Sequence, residues 1–147
     1  MALVFEDEGA VQMLKAYFQD VWPAGGINLT LKLFATNVTP SATGADTAAA
    51  FTEAAGGGYA AITLTNGAGN WTQSAVGGIE QVAYAQQTFT FTGALTTNAT
   101  IYGYYVVDAD GELIWAEKAG STFTPANNGD TYKVTPIFQL SHGTPAA

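Results

Sequence analysis

Apolar positions recur along this chain with two different periods. Near the N-terminus, Val11, Leu14, Phe18 and Val21 lie three, four and three residues apart and form one helical stripe. Glu6, Asp7 and Glu8 precede the stripe, where acids favour the positive end of a helix dipole. Trp22-Pro23-Ala24-Gly25-Gly26 ends it, because Pro and Gly punctuate helices. The pattern predicts one N-terminal α-helix. After Gly26 the period shortens to two. Residues 27–35 alternate Ile27, Leu29, Leu31 and Leu33 with Asn28, Thr30 and Lys32. Residues 59–65, 71–76, 79–85 and 88–92 also read as strands, and 132–140 reads as a closing strand. Pro136 places that last strand at an edge or a bulge. Residues 51–55 fit a short strand or one helical turn equally well, and Gly56-Gly57-Gly58 reads as a flexible break.

The hairpin over residues 101–118 departs from simple alternation. A strand with one face in water should alternate apolar and polar residues. Here Ile101, Gly103, Tyr105 and Val107 share one face, and Tyr102, Tyr104 and Val106 share the other. Leu113 and Trp115 likewise alternate with Ile114 and Ala116. Both faces of this hairpin need cover, from the rest of the chain or from a second copy of it.

Seven to nine short strands separated by turns predict an all-β fold, a β-sandwich or jelly-roll-like domain with one N-terminal α-helix. The expected division is a helical arm over 1–24, a β-sandwich domain over 25–141 and a flexible tail over 142–147.

Composition narrows the function. A chain of 147 residues suits one domain that buries roughly 70% of its unfolded surface. Cysteine is absent, so disulfides, thiolate nucleophiles and cysteine metal sites are excluded. The net charge is −8, with four Lys and no Arg, which disfavours nucleic acid and anionic membrane as partners. No apolar run approaches a membrane span, and residues 1–12 lack the features of a signal peptide. The absence of cysteine is compatible with folding in a reducing cytoplasm. Only 11% of residues are charged, so the surface is largely neutral and polar, as is common in proteins that live in assemblies.

Candidate chemistry is sparse. Asp108-Ala109-Asp110-Gly111-Glu112 suggests a cation loop, but Asp-Gly in this setting reads as a hairpin turn. His142 stands alone near the C-terminus, which disfavours a hydrolytic triad or a His metal site. Asn28, Asn37, Asn70 and Asn98 each begin an Asn-x-Thr triplet and read as Asn-rich turns beside Thr-rich strands. No residue is assigned a catalytic, cofactor or metal role. Among the aromatic residues, Trp71 and Tyr59, with the loop at 66–70, are the candidates for an exposed glycan contact, whereas Trp115 reads as core or subunit interface.

Three segments carry a family resemblance. They are Phe51-Thr52-Glu53-Ala54 leading to Gly58-Tyr59-Ala60, then Ile101 to Asp108, then Leu113-Ile114-Trp115-Ala116-Glu117. With Asn128-Gly129-Asp130 and Val134-Thr135-Pro136, they resemble a group of small virion proteins of tailed bacteriophages. The resemblance implies a non-enzymatic virion structural protein, a capsid cement (decoration) protein that forms homotrimers on the outer shell and contacts the major capsid protein. The alternative it implies is a tail or fibre adhesin for host glycans. On the first reading, the subunit or capsid interface would involve Glu6, Asp7, Glu8, Val11, Leu14, Phe18, Tyr102, Tyr104, Val106 and Ile114.

Overall fold

A computed structural model describes residues 14–19, 28–41 and 44–140. The fold is all-β, built from antiparallel pairs. Its strands are β1 (Leu29–Phe34), β2 (Ala55–Gly56), β3 (Ile62–Leu64), β4 (Trp71–Val76), β5 (Ile79–Tyr84), β6 (Gln87–Thr90), β7 (Leu95–Thr97), β8 (Ile101–Val107), β9 (Leu113–Phe123), β10 (Thr131–Val134) and β11 (Ile137–Leu140). The all-β expectation is borne out. A jelly-roll order is not established by these pairings, which give sheets of four, three, two and two strands.

The strands gather in two compact units. One comprises Met1–Ile27, Thr65–Ala85 and Thr135–Ala147, and the other comprises Asn28–Leu64 and Gln86–Val134. A division into a helical arm and one sandwich over 25–141 is thus drawn differently, since β4, β5 and β11 group with the N-terminal segment. The predicted closing strand over 132–140 is two strands. Pro136 lacks an N–H and interrupts the ladder, so β10 pairs with β6 while β11 pairs with β5.

The first unit contains the three-stranded sheet β11-β5-β4 and a π-helical turn at Lys15–Gln19. Leu14 and Phe18 of the predicted stripe are buried. Phe18 lies 4.7 Å from Trp71 and 5.3 Å from Phe138, centroid to centroid. Gly67 and Asn66 donate to the carbonyls of Phe18 and Tyr17, which fastens this turn to the 66–71 loop. Glu6, Asp7, Glu8, Val11 and the tail over 142–147 lie outside the described residues.

The second unit contains the sheet β3-β1-β8-β9. β1 and β8 are its central strands, with Leu31 opposite Val106 and Leu33 opposite Tyr104. Phe34, Phe51, Tyr105 and Val107 form a core cluster against which Leu113 and Ala116 pack. Gly103 is required where it stands. A Cβ there would collide with the Glu117 carbonyl and come within 2.6 Å of the Phe34 ring. The Gly56-Gly57-Gly58 segment is not a flexible break. All three residues have positive φ, and the Gly57 carbonyl accepts the Thr92 N–H at 2.8 Å.

Candidate binding surface

The β8–β9 hairpin separates into two environments. Gly103 through Val107 are buried, so both faces of that stretch of β8 are covered within the single chain. Tyr104 and Val106, predicted as interface residues, are therefore interior. Tyr104 also donates its hydroxyl to Glu117 Oε2 at 2.6 Å. Leu14 and Phe18 are interior as well, because aromatic rings of their own unit enclose Phe18. Tyr102 and Ile114 keep partial exposure.

β9 lies at the edge of its sheet, and Leu113, Ile114, Trp115 and Ala116 are all half-exposed. A hollow of about 270 Å³ opens beside this run. Pro40, Ser41, Asp46 and Phe51 border it on the loop side, and the Asp46 carboxylate accepts the Ser41 N–H at 2.6 Å. Register shifts opposite Ile101/Gly103 and Val106/Val107 bend the strand. Bulges of this kind protect an edge from adding another strand. Within the 113–116 run, Leu113 and Ala116 also pack on the Phe34 cluster, and all four side chains keep partial exposure.

A polar cluster joins β1 to the 53–59 segment. Lys32 Nζ pairs with Glu53 Oε2 at 2.9 Å. The Tyr59 hydroxyl accepts the Leu33 N–H at 3.1 Å and donates to Glu53 Oε1 at 3.2 Å. Burial, and less strongly the Glu53 charge, push the Tyr59 hydroxyl far above the ordinary phenol range. Tyr105 is pushed up to about 12 by burial first and by Glu53 second. Lys32, Glu53 and Tyr59 satisfy one another, an arrangement that holds structure together.

The glycan contact predicted from Trp71 is corrected by its burial, since Trp71 is only 1% exposed. Its ring packs against Phe18 and edge-on to Tyr84, partners distant in sequence. Tyr59 is half-buried, stacks on Phe89 at 5.8 Å and has its hydroxyl engaged as described. The structure thus holds Trp71 and Tyr59 by packing, and in different units.

The Asp108–Glu112 segment is a turn organised by its own first residue. Asp108 Oδ1 accepts the N–H groups of Asp110 and Glu112 at 3.0 and 2.9 Å, and Gly111 supplies φ of +86°. Among the described residues, no group of three or more His, Asp or Glu side chains could hold a metal ion. Among them, too, no helix is long and apolar enough to cross a membrane.

Compared with known protein families, curated proteins and solved structures, the chain matches none. The phage resemblance therefore rests on the residues quoted for it.

Proposed function

We propose that this chain is a non-enzymatic structural protein of a tailed-phage virion, a capsid cement protein. It would bind the outer shell as a homotrimer and hold neighbouring capsid subunits together. The observation that carries this reading is the partly exposed apolar run Leu113–Ala116 on an edge strand. Such a run on a chain with a neutral polar surface suits a protein whose work is contact with other proteins. A cement protein stabilises by mass action, because it binds the assembled shell and not free subunits. Its contact surface is the 113–116 face with the loop around Asp46, and the acidic segment Glu6-Asp7-Glu8 would add complementarity to basic patches on a shell.

Purified chain mixed with undecorated shells tests the reading. The expected result is saturable binding at a fixed stoichiometry, threefold density in cryo-EM and a trimer mass in solution. Ile114→Asp should abolish binding with the far-UV circular dichroism unchanged. Copies found only at the tail, or binding indifferent to Ile114→Asp, would overturn it.

A further inference from the structure

A second hollow, of about 350 Å³, lies in the Asn28–Leu64/Gln86–Val134 unit, where the end of β1 meets the start of β8. Thr36, Asn37, Asn98, Thr100 and Tyr102 line it. We propose that this hollow binds a neutral saccharide of one or two sugar units. The inference stands independently of the cement reading.

β9 bulges opposite Tyr102, which borders the hollow. Ile101 pairs with Phe123 and Gly103 with Lys118, so four β9 residues, 119–122, span the position opposite Tyr102 alone. Tyr102 is left half-buried, packed on the Phe34 cluster on one side and bordering the hollow on the other. Bulges recur beside functional sites because they re-aim a side chain in this way. An aromatic ring with one supported side is a platform for the apolar C–H face of a sugar.

The polar groups around the ring are held in place. Lys118 Nζ donates to Asn37 Oδ1 at 2.9 Å and to Thr39 Oγ1 at 3.1 Å, which sets the orientation of the Asn37 amide. Thr100 and Thr124 share a hydroxyl hydrogen bond of 2.9 Å. Asn98 has φ of +44°, alone among the described non-glycine residues, at the bend between β7 and β8. Asn tolerates that left-handed conformation better than most residues. Groups fixed before a ligand arrives bind it at lower entropic cost.

The lining chemistry selects the ligand class. Carboxamides and hydroxyls both donate and accept, as do sugar hydroxyls. No carboxylate lines the hollow, so it offers little to a cation. Lys118 is the cation beside it, with Nζ already engaged by Asn37 and Thr39, and a chain charge of −8 disfavours anions. A volume near the lower end of small-molecule sites limits the ligand to one or two sugars.

The test is an amide-resolved NMR titration of the full chain. The panel holds four neutral sugars (glucose, galactose, mannose and N-acetylglucosamine), with glucuronate and glucosamine as charged controls. The expected result is weak, saturable shifts confined to residues 36–37 and 98–102 with at least one neutral sugar. Tyr102→Ala should weaken that binding at least tenfold. Because Tyr102 also packs on the core, Asn98→Gly is the second variant; it keeps the backbone conformation, removes the amide and should weaken binding several-fold. Lys118→Met, which releases Asn37, should cost a few-fold. The proposal fails if no neutral sugar perturbs these residues at tens of millimolar. It also fails if the charged controls bind as well as the neutral sugars, or if Asn98→Gly and Tyr102→Ala bind like the parent while folded.

Discussion

β8 and the start of β9, Leu113–Ala116, are neighbouring apolar runs in one sheet, yet they meet opposite surroundings. From Gly103 to Val107, β8 is buried on both faces, whereas no residue of β9 is. The difference lies in position. β8 has a paired strand on each side, β1 and β9, and the Phe51 segment packs over its Tyr105 and Val107. β9 has one paired neighbour and carries two register shifts. The same kind of pattern is thus core on one strand and a partly exposed edge on the next. An apolar strand in a sequence states a need for cover. The sheet order states whether that need is met inside the chain.

The sharpest way to break this comparison is a methyl group on a glycine of each strand. Gly103→Ala on β8 should destabilise by about 3 kcal/mol, because the new Cβ strikes the Glu117 carbonyl and the Phe34 ring. Gly120→Ala on β9 meets nothing within 4 Å and should change stability by less than about 0.5 kcal/mol. Urea unfolding of both variants measures the contrast, and equal midpoints would refute it.

Truncation gives the next largest effect. Val106→Ala opens space at a fully buried site and should cost about 2 kcal/mol. Ile114→Ala, on the half-exposed run, should cost less than about 1 kcal/mol. The order should reverse for binding to shells, where Ile114 matters and Val106 does not.

The smallest expected effect is the share that Tyr105 of β8 takes in an alkaline pH dependence to which Tyr59 and Tyr132, also raised by burial, contribute in the same direction. The Tyr105 hydroxyl is raised from 10.0 to about 12, so the folded chain holds a proton that the unfolded chain releases. That contribution is complete below pH 10 and is lost as pH rises towards 12. Circular dichroism against pH should show alkaline unfolding in this window, with Tyr105→Phe moving the midpoint upward. An unchanged midpoint would mean that Tyr105 is no more sheltered than a tyrosine on β9's side of the hairpin.

Much of the fold was legible in the residues. Period-two patterning found β1 and β5 nearly to their ends, and short apolar or mixed runs between turn signals found β4 and β8, because both are local properties of the chain. The start of β9 was legible, but its run to Phe123 was not, since Lys118, Gly120, Ser121 and Thr122 carry no apolar signal. β2 and β7 escaped notice because each is held by its partner and has little pattern of its own. For the candidate sites, local context misled. Trp71, at the start of a short strand after the 66–70 loop, looks exposed, and Tyr84 and the distant Phe18 bury the indole. Beside the Tyr102 hollow, Lys118 reaches Asn37 across 81 residues, a contact with no local signature.

By itself the sequence determined the class of this protein: all-β, acidic, without cysteine, its apolar surplus gathered in one hairpin. Those properties follow from composition and short-range periodicity, which each segment carries alone. The tertiary structure decided which strand of that hairpin became core and which stayed at the edge. It also separated β10 from β11 at Pro136 and left Tyr102 bordering a polar hollow. Those outcomes depend on which distant segments meet, and the free energy of burial is set by that meeting.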